Sequence, residues 1–220
     1  MKSRTVKKAG VVIVEDHPMF REHLAQMINK ADDLTVSGEA DNIRDGFALI
    51  KRIKPSVAIV DITLKGSNGL ELLKDLRAHH VNVPMLVLSM HDESLYAERA
   101  LRAGARGYIT KHEVSDKVMT AIRQVLKGDV YLSSRFTSEV MTKLMLGRNT
   151  SSDPIDRLAD RELEVFELIG RGLTTREIGE QLHLGLTTVD TYKARIKEKL
   201  KLSNVARLRS EASRWVQQRE

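Results

Sequence analysis

Cysteine is absent from all 220 residues, which excludes a disulfide framework, thiolate catalysis and cysteine-ligated zinc or iron–sulfur centres in one step. The expectation is a protein of the reducing cytoplasm. No apolar run approaches the roughly 20 residues that a membrane helix needs, and Met1–Gly10 is basic without the apolar stretch of a signal peptide. A soluble, unexported chain without membrane contact is expected. Low-complexity tracts and internal repeats are missing as well. The seven histidines have no metal-ligand spacing, and the adjacent pair His79 and His80 faces apart on a helix, as solvated capping residues do. What is present is 41% hydrophobic and 30% charged side chains, enough for two compact domains of roughly 100 residues each.

The net charge of +6 is unevenly spread. Residues 187–220 carry nine basic against four acidic side chains, whereas residues 151–186 carry four against eight. A positive patch confined to one end suits a localised polyanion contact, and a solvated basic helix face is the alternative reading.

Five short apolar runs, 11–14, 35–39, 57–60, 85–88 and 107–109, alternate with amphipathic stretches near 18–30, 43–53, 70–79, 94–103 and 114–127. Strand followed by helix, five times over, implies right-handed crossovers and a doubly wound α/β domain with a five-stranded parallel sheet. It is placed at residues 9–130. Residues 131–155 form a linker with one helix, Ser134–Leu146, its stripe being Phe136, Val140, Leu144 and Met145, followed by a polar stretch, Gly147–Pro154. Residues 156–220 read as an all-α domain of four helices, near 160–170, 175–183, 188–200 and 204–218.

Ligands of doubly wound sheets bind outside the carboxyl ends of the strands, where the winding reverses. There the sequence sets Glu15 and Asp16 after the first strand, Asp61 after the third, Ser89 after the fourth and Lys111 after the fifth. Clustered carboxylates repel one another unless a proton or a hard cation is present, and oxygen ligands of this kind suit magnesium. Lys111 is a compact charge able to hold a phosphoryl oxygen.

The stretches Val-Val-Ile-Val-Glu15-Asp16-His-Pro, Ala-Ile-Val-Asp61-Ile-Thr, Val-Leu-Ser89-Met-His and Gly-Tyr108-Ile-Thr-Lys111 resemble those of a response-regulator receiver domain, which has the flavodoxin-like fold. The resemblance implies that Asp61 accepts a phosphoryl group from a sensor histidine kinase, and that Glu15, Asp16, Asp61 and the Thr63 carbonyl hold Mg2+. It also implies that Ser89 hydrogen-bonds the phosphoryl group and that Tyr108 is an aromatic switch, a half-buried sheet-edge tyrosine being the plainer reading. His91 would border the path of the water that attacks the phosphoryl group. Three departures stand out: a Glu-Asp pair where Asp-Asp is commoner, and Lys65 and His112 where proline is frequent.

Thr174-Thr-Arg-Glu177 is a capping box opening a helix with Ile178 and Leu182 on its stripe, and Gly179 leaves room for a close crossing. A short turn leads to a helix with Val189, Tyr192, Ile196 and Leu200 on one face and a basic polar face opposite. Together with Leu158-Ala-Asp-Arg-Glu162 this looks like a LuxR-type helix-turn-helix, and the whole chain is similar to response regulators of the NarL/FixJ group. That resemblance implies a two-component transcription factor binding double-stranded DNA, a homodimer when phosphorylated, with RNA polymerase a further partner. In relatives the unphosphorylated receiver can cover the recognition helix.

The DNA-contacting set is expected to be Thr187, Thr188, Thr191, Lys193, Ala194, Arg195, Lys197 and Lys201. Thr191, Ala194 and Arg195 face bases, while Lys193, Lys197, Lys199 and Lys201 face phosphates. Asp190 either completes a helix cap with Thr187 or faces the groove. Val205, Leu208, Ala212 and Trp215 stripe the final helix, as core or as dimer interface. Ala159 lacks a capping side chain, so Asp160 is expected to cap one residue late. The only catalysis implied is the chain's own phosphoryl transfer and dephosphorylation. An aspartyl-phosphate phosphatase is disfavoured because Pro18 stands where its second acid belongs. A binding module independent of phosphorylation is the other alternative, disfavoured by the full set of Asp16, Asp61 and Lys111.

Overall fold

The computed structural model describes residues 8–145 and 154–218. Leu146 and the polar stretch up to Asp153 lie outside the described residues, as do Met1–Lys7. Two compact units divide the chain between Val140 and Met141.

The first unit runs β1 (Ala9–Val14), α1 (Pro18–Asn29), β2 (Leu34–Ala40), α2 (Ile43–Ile53), β3 (Val57–Asp61), β4 (Thr63–Leu64), β5 (Ser67–Asn68), α3 (Gly69–Ala78), β6 (Met85–Ser89), α4 (Glu93–Ala103), β7 (Gly107–Thr110) and α5 (Val114–Leu126). The five long strands form one parallel sheet in the order β2-β1-β3-β6-β7. Val11 to Val14 and Val57 to Val60 are buried on both faces, which is why these strands read as unbroken apolar runs. The chain winds outward from β1 to β2, then returns to β3 on the other side of β1. The carboxyl ends of β1 and β3 therefore open at the point where the winding reverses. Pro18 at the first helical position starts α1 immediately beyond that point, its missing N–H costing nothing there.

Two features depart from the sequence pattern. The segment after Asp61 is a small antiparallel ladder, Thr63 with Asn68 and Leu64 with Ser67, closed by Gly66 at a φ of 68°. After α5, Tyr131 bridges the free edge of β7: its N–H donates to the Arg106 carbonyl at 2.9 Å and its carbonyl accepts from Tyr108 N at 3.0 Å. The chain then enters α6 (Ser134–Met145), which straddles the division between the units. Phe136 is buried, but Met145 is exposed rather than on the buried stripe, and the side chain of Leu144 lies outside the described residues.

The second unit contains α7 (Asp160–Gly170), α8 (Thr175–Leu182), α9 (Leu186–Lys199) and α10 (Val205–Gln217). α7 and α10 pack together, with Phe166 edge-on to Trp215 at 5.5 Å. A methyl group on Gly170 would lie 2.5 Å from the Ala212 carbonyl, so Gly170 is where these helices approach most closely. At Gly179 the close neighbour is the turn backbone, Leu184 O at 2.8 Å from an added Cβ, not a crossing helix. Asp160 does not cap late: Ala159 occupies the cap position and its N–H donates to Glu162 Oε2 at 2.8 Å, preserving the one half of a capping box that needs no side chain on the cap residue.

Candidate functional site

Glu15, Asp16, Asp61, Ser89 and Lys111 come together at the carboxyl rim of the sheet, as their places at the strand ends require, and the first four are buried. Lys111 Nζ donates to Asp61 Oδ2 at 2.8 Å and makes an ion contact with Glu15 Oε2 at 2.6 Å. The His17 amide donates to Glu15 Oε1 at 3.0 Å, and His17 Nδ1 lies 3.0 Å from Asp16 Oδ1. Beneath the rim the loop is pinned to the acid itself: Gly69 N donates to Ile62 O at 2.6 Å, and a Cβ on Gly69 would stand 1.8 Å from the Asp61 carbonyl oxygen. Only glycine allows that approach.

Two of the three buried carboxylates, Asp61 and Glu15, share one ammonium. Burial, with the negative charge of Glu15 next, pushes the Asp61 pKa up to about 7 against the pull of Lys111. Burial draws Lys111 down, but Asp61 and Glu15 outweigh it and hold the ammonium above its usual range. Asp61 Oδ1 is buried with no hydrogen-bond partner among the described residues. Glu15, Asp16 and His17 gather their ligand atoms within 4.8 Å of one another. An orphaned carboxylate oxygen beside two further buried acids fits a hard divalent cation, and the rim is an acidic pocket of the kind in which receiver domains bind Mg2+.

A pH-dependent stability follows. An acid whose pKa rises from 3.8 unfolded to about 7 folded contributes fully to stability below pH 3.8, and that contribution is lost as pH rises through 7. In chelator, Asp61→Asn is therefore expected to unfold later than the parent at pH 8, by about 2–4 kcal/mol, with the gain vanishing near pH 4. Thermal melts with and without Mg2+ check this. Added Mg2+ is expected to stabilise the parent more than the variant, and a variant that melts lower at pH 8 in chelator contradicts the expectation.

Ser89, Tyr108 and His91 form one connected group. The His91 N–H donates to Ser89 Oγ at 3.0 Å, and the buried Tyr108 hydroxyl donates to His91 O at 3.0 Å. The His91 ring is 3.2 Å from Thr63 Oγ1 and lies against Tyr96 at 4.4 Å. Tyr108 is thus an inward residue with a polar anchor, not a half-buried edge. His91 ties the segment after Asp61 to the segment after Ser89, a role that no residue spacing announces. Sequence reading also missed Phe20, whose ring centroid is 4.6 Å from Lys111 Nζ, and Arg21, which donates Nη1 to Glu15 O at 2.6 Å. Both stand one turn into α1, where helical periodicity marks only a face toward the sheet.

In the second unit α8 opens with its capping box, the Thr174 N–H donating to Glu177 Oε2 at 2.7 Å. α9 begins at Leu186 on a Gly185 cap, earlier than its threonines suggest, so Asp190 lies beyond the first turn and caps nothing. It sits 3.7 Å from Lys193 Nζ instead. Thr187, Thr188, Thr191, Ala194 and Arg195 are exposed on one side of α9, with the Thr191 hydroxyl donating to Thr187 O at 2.8 Å. Lys193 corrects the expected phosphate set: it lies across the helix from that face and turns in to Thr175 Oγ1. Lys199 pairs with Glu162 of α7 at 2.6 Å, while Lys197 and Lys201 remain at the flank and the end. A second correction falls on α10. Leu208, Ala212 and Trp215 are buried in the core of the unit, where they are out of reach of a second copy, and of the four stripe residues only Val205 is exposed.

A model of the response regulator receiver domain matches residues 11–123, and one of bacterial regulatory proteins of the luxR family matches residues 156–212. The chain belongs to the response regulators. The nitrate/nitrite response regulator protein NarL of Escherichia coli is 31% identical over 210 residues, covering 96% of this chain and 95% of the relative. The virulence-factor transcription regulator BvgA of Bordetella pertussis is 32% identical over 200 residues, covering 90% and 93%. The crystal structure of a LuxR-family two-component response regulator from an Aurantimonas species superposes with a TM-score of 0.59 at 28% identity, over 63% of this chain and 99% of that one. This response regulator therefore combines a flavodoxin-like receiver with a LuxR-type helical domain, the make-up of a two-component transcriptional regulator, and its family is one of DNA-binding regulators rather than of conventional enzymes. Among the described residues no helix is long and apolar enough to cross a membrane.

Proposed function

We propose that the receiver occupies residues 9–130, that Asp61 is its phosphoacceptor, and that residues 156–220 bind operator DNA under the control of that phosphoryl group, with 131–155 as the link. The observation that carries the reading is the buried Asp61 carboxylate, held on one oxygen by Lys111 and open on the other. An Asp61 oxygen attacks the phosphorus of a phosphohistidine on a sensor histidine kinase. The phosphorus–nitrogen bond breaks, and its electron pair leaves with the imidazole, which takes up a proton. Glu15, Asp16, Asp61 and the Thr63 carbonyl would hold Mg2+, which when bound neutralises carboxylate charge and draws on phosphoryl oxygens. Lys111 turns its N–H groups from Asp61 to a phosphoryl oxygen, and Ser89 donates a hydrogen bond from its hydroxyl to that group. Tyr108, joined to Ser89 through the His91 backbone, carries the change to the β7 edge. The protein acts in the cytoplasm, pairs as a homodimer when phosphorylated, with Val205 the surface residue of the stripe left for that contact, and meets RNA polymerase on promoters. Selecting bound fragments from a random DNA pool, with and without acetyl phosphate and with chelator as control, tests the reading. Enrichment of one sequence, strengthened by phosphorylation and not in chelator, supports it; recovery unaffected by either treatment sinks it.

On α9, Arg195 reads a base and Lys197 a phosphate. Arg195→Ala is expected to cost about 1–3 kcal/mol and flatten the preference at one base position, whereas Lys197→Ala weakens every sequence and lowers the salt slope by about one. Binding titrations over a salt series separate the two, and the reverse pattern exchanges the roles.

The His91 ring closes one side of the rim between Thr63 and Tyr96. His91→Ala is expected to admit water and shorten the phosphoryl lifetime several-fold, since the attacking water must come in line. Decay followed after removal of the phosphodonor measures it, and equal rates remove His91 from the mechanism.

A further inference from the structure

We propose that Phe20 is the positioning residue of Lys111, its ring face holding the ammonium at the rim when the carboxylates no longer do. The inference rests on the reading of Asp61 as phosphoacceptor, because the ammonium's task is then to meet a phosphoryl oxygen. Lys111 Nζ lies 4.6 Å from the ring centroid, and its side chain is 7% exposed. Phe20 is itself partly buried against the sheet core. Its place is set from both sides: Pro18 starts α1 two residues earlier, and Arg21 on the next position donates to the Glu15 carbonyl at 2.6 Å.

In the unphosphorylated protein two anions, Asp61 and Glu15, hold Lys111. With a divalent cation bound by Glu15, Asp16 and Asp61, and a phosphoryl group arriving at Asp61, that attraction is shared out. A neutral ring loses nothing in the exchange. Its quadrupole attracts the ammonium equally before and after the carboxylates are engaged, and the attraction is strongest where water is excluded, as it is here. Phe20 therefore keeps Lys111 within reach of the incoming oxygen, so that its three N–H groups can turn from one acceptor to the next about a fixed nitrogen.

The test uses the full chain with Phe20→Leu and with mono-, di- and trifluorinated phenylalanine at position 20, a series of nearly constant shape in which the ring face grows steadily less negative. Two quantities are read: the initial rate of aspartyl-phosphate formation from acetyl phosphate at saturating Mg2+, and the NMR shifts of the Lys111 ε-methylene protons in Mg2+-free protein. The expected rate falls stepwise with each fluorine, by roughly three- to tenfold across the series. The parent's Lys111 protons are displaced by the ring current, and the displacement disappears in Phe20→Leu. A slow Phe20→Leu beside a flat fluorine series would make the ring a packing element and overturn the proposal, as would Lys111 protons that are undisplaced in the parent. A parent that takes no phosphate at all overturns the reading of Asp61 instead, and the NMR shifts then decide the role of Phe20 by themselves.

Discussion

Asp61→Asn is expected to take no phosphate from acetyl phosphate or from a kinase, a loss of at least about a hundredfold, because an amide oxygen lacks the negative charge that makes the carboxylate a nucleophile. The loss will not reflect unfolding, since in chelator at pH 8 the same variant is expected to be the more stable protein. Phosphate incorporation resolved on a phosphate-affinity gel, with chelator in a parallel lane, checks it. Undiminished labelling of Asp61→Asn rules out Asp61 as the acceptor, and labelling indifferent to chelator rules out a magnesium-dependent transfer. Lys111→Ala separates two duties of the ammonium. It removes the group paired with Asp61 at 2.8 Å, so transfer slows, and whatever phosphate is incorporated should no longer change DNA binding.

Much of this site was legible because strands buried on both faces announce themselves. The runs at β1, β3 and β6 have no polar residue until their ends, so Glu15, Asp16, Asp61 and Ser89 had to emerge on one rim once the sheet was parallel. The capping box of α8 was legible for a similar reason, its two polar partners being three residues apart on one turn. What escaped has no period. The β4–β5 ladder is two residue pairs closed by one glycine, too short to alternate. The Tyr131 bridge to β7 uses backbone atoms that every residue possesses. Phe20 was visible as an apolar residue on the inner face of α1, but its neighbour across 91 positions, Lys111, was not. On α10 the stripe was correctly a buried face; periodicity says that a face is covered, and only packing shows that α7 covers it.

The backbone contacts around Tyr108 give the receiver a short route outward. Its hydroxyl is fixed to the His91 carbonyl, while its own N–H is fixed to Tyr131 O in the segment leading to α6. That segment is held again where the Ser133 N–H donates to Glu93 Oε1 on α4 at 2.8 Å. Hydrogen bonds of a few residues thus connect Ser89 to the segment that leads into α6.

Removing residues 1–150 is expected to tighten binding to a DNA half-site relative to the unphosphorylated full chain, by up to about a hundredfold at equal salt. The argument is one of populations. The receiver rim bears the acids Glu15, Asp16 and Asp61, and residues 187–220 carry nine basic against four acidic side chains, so opposite charge would favour an occluding contact if one forms. If the reader is open in one molecule of a hundred, its apparent affinity drops by that factor, and phosphorylation needs to supply only about 3 kcal/mol of bias to restore it. The isolated fragment lacks the receiver but keeps its own core, in which Phe166 packs on Trp215, so it should fold and present α9. Titration of a single half-site with both proteins measures the difference. The rival is control by dimerisation alone, with α9 always accessible and one half-site too weak until two copies join. Under that mechanism the fragment binds the half-site no better than the parent, and phosphorylation improves binding only on paired half-sites, so the two titrations together decide which device operates.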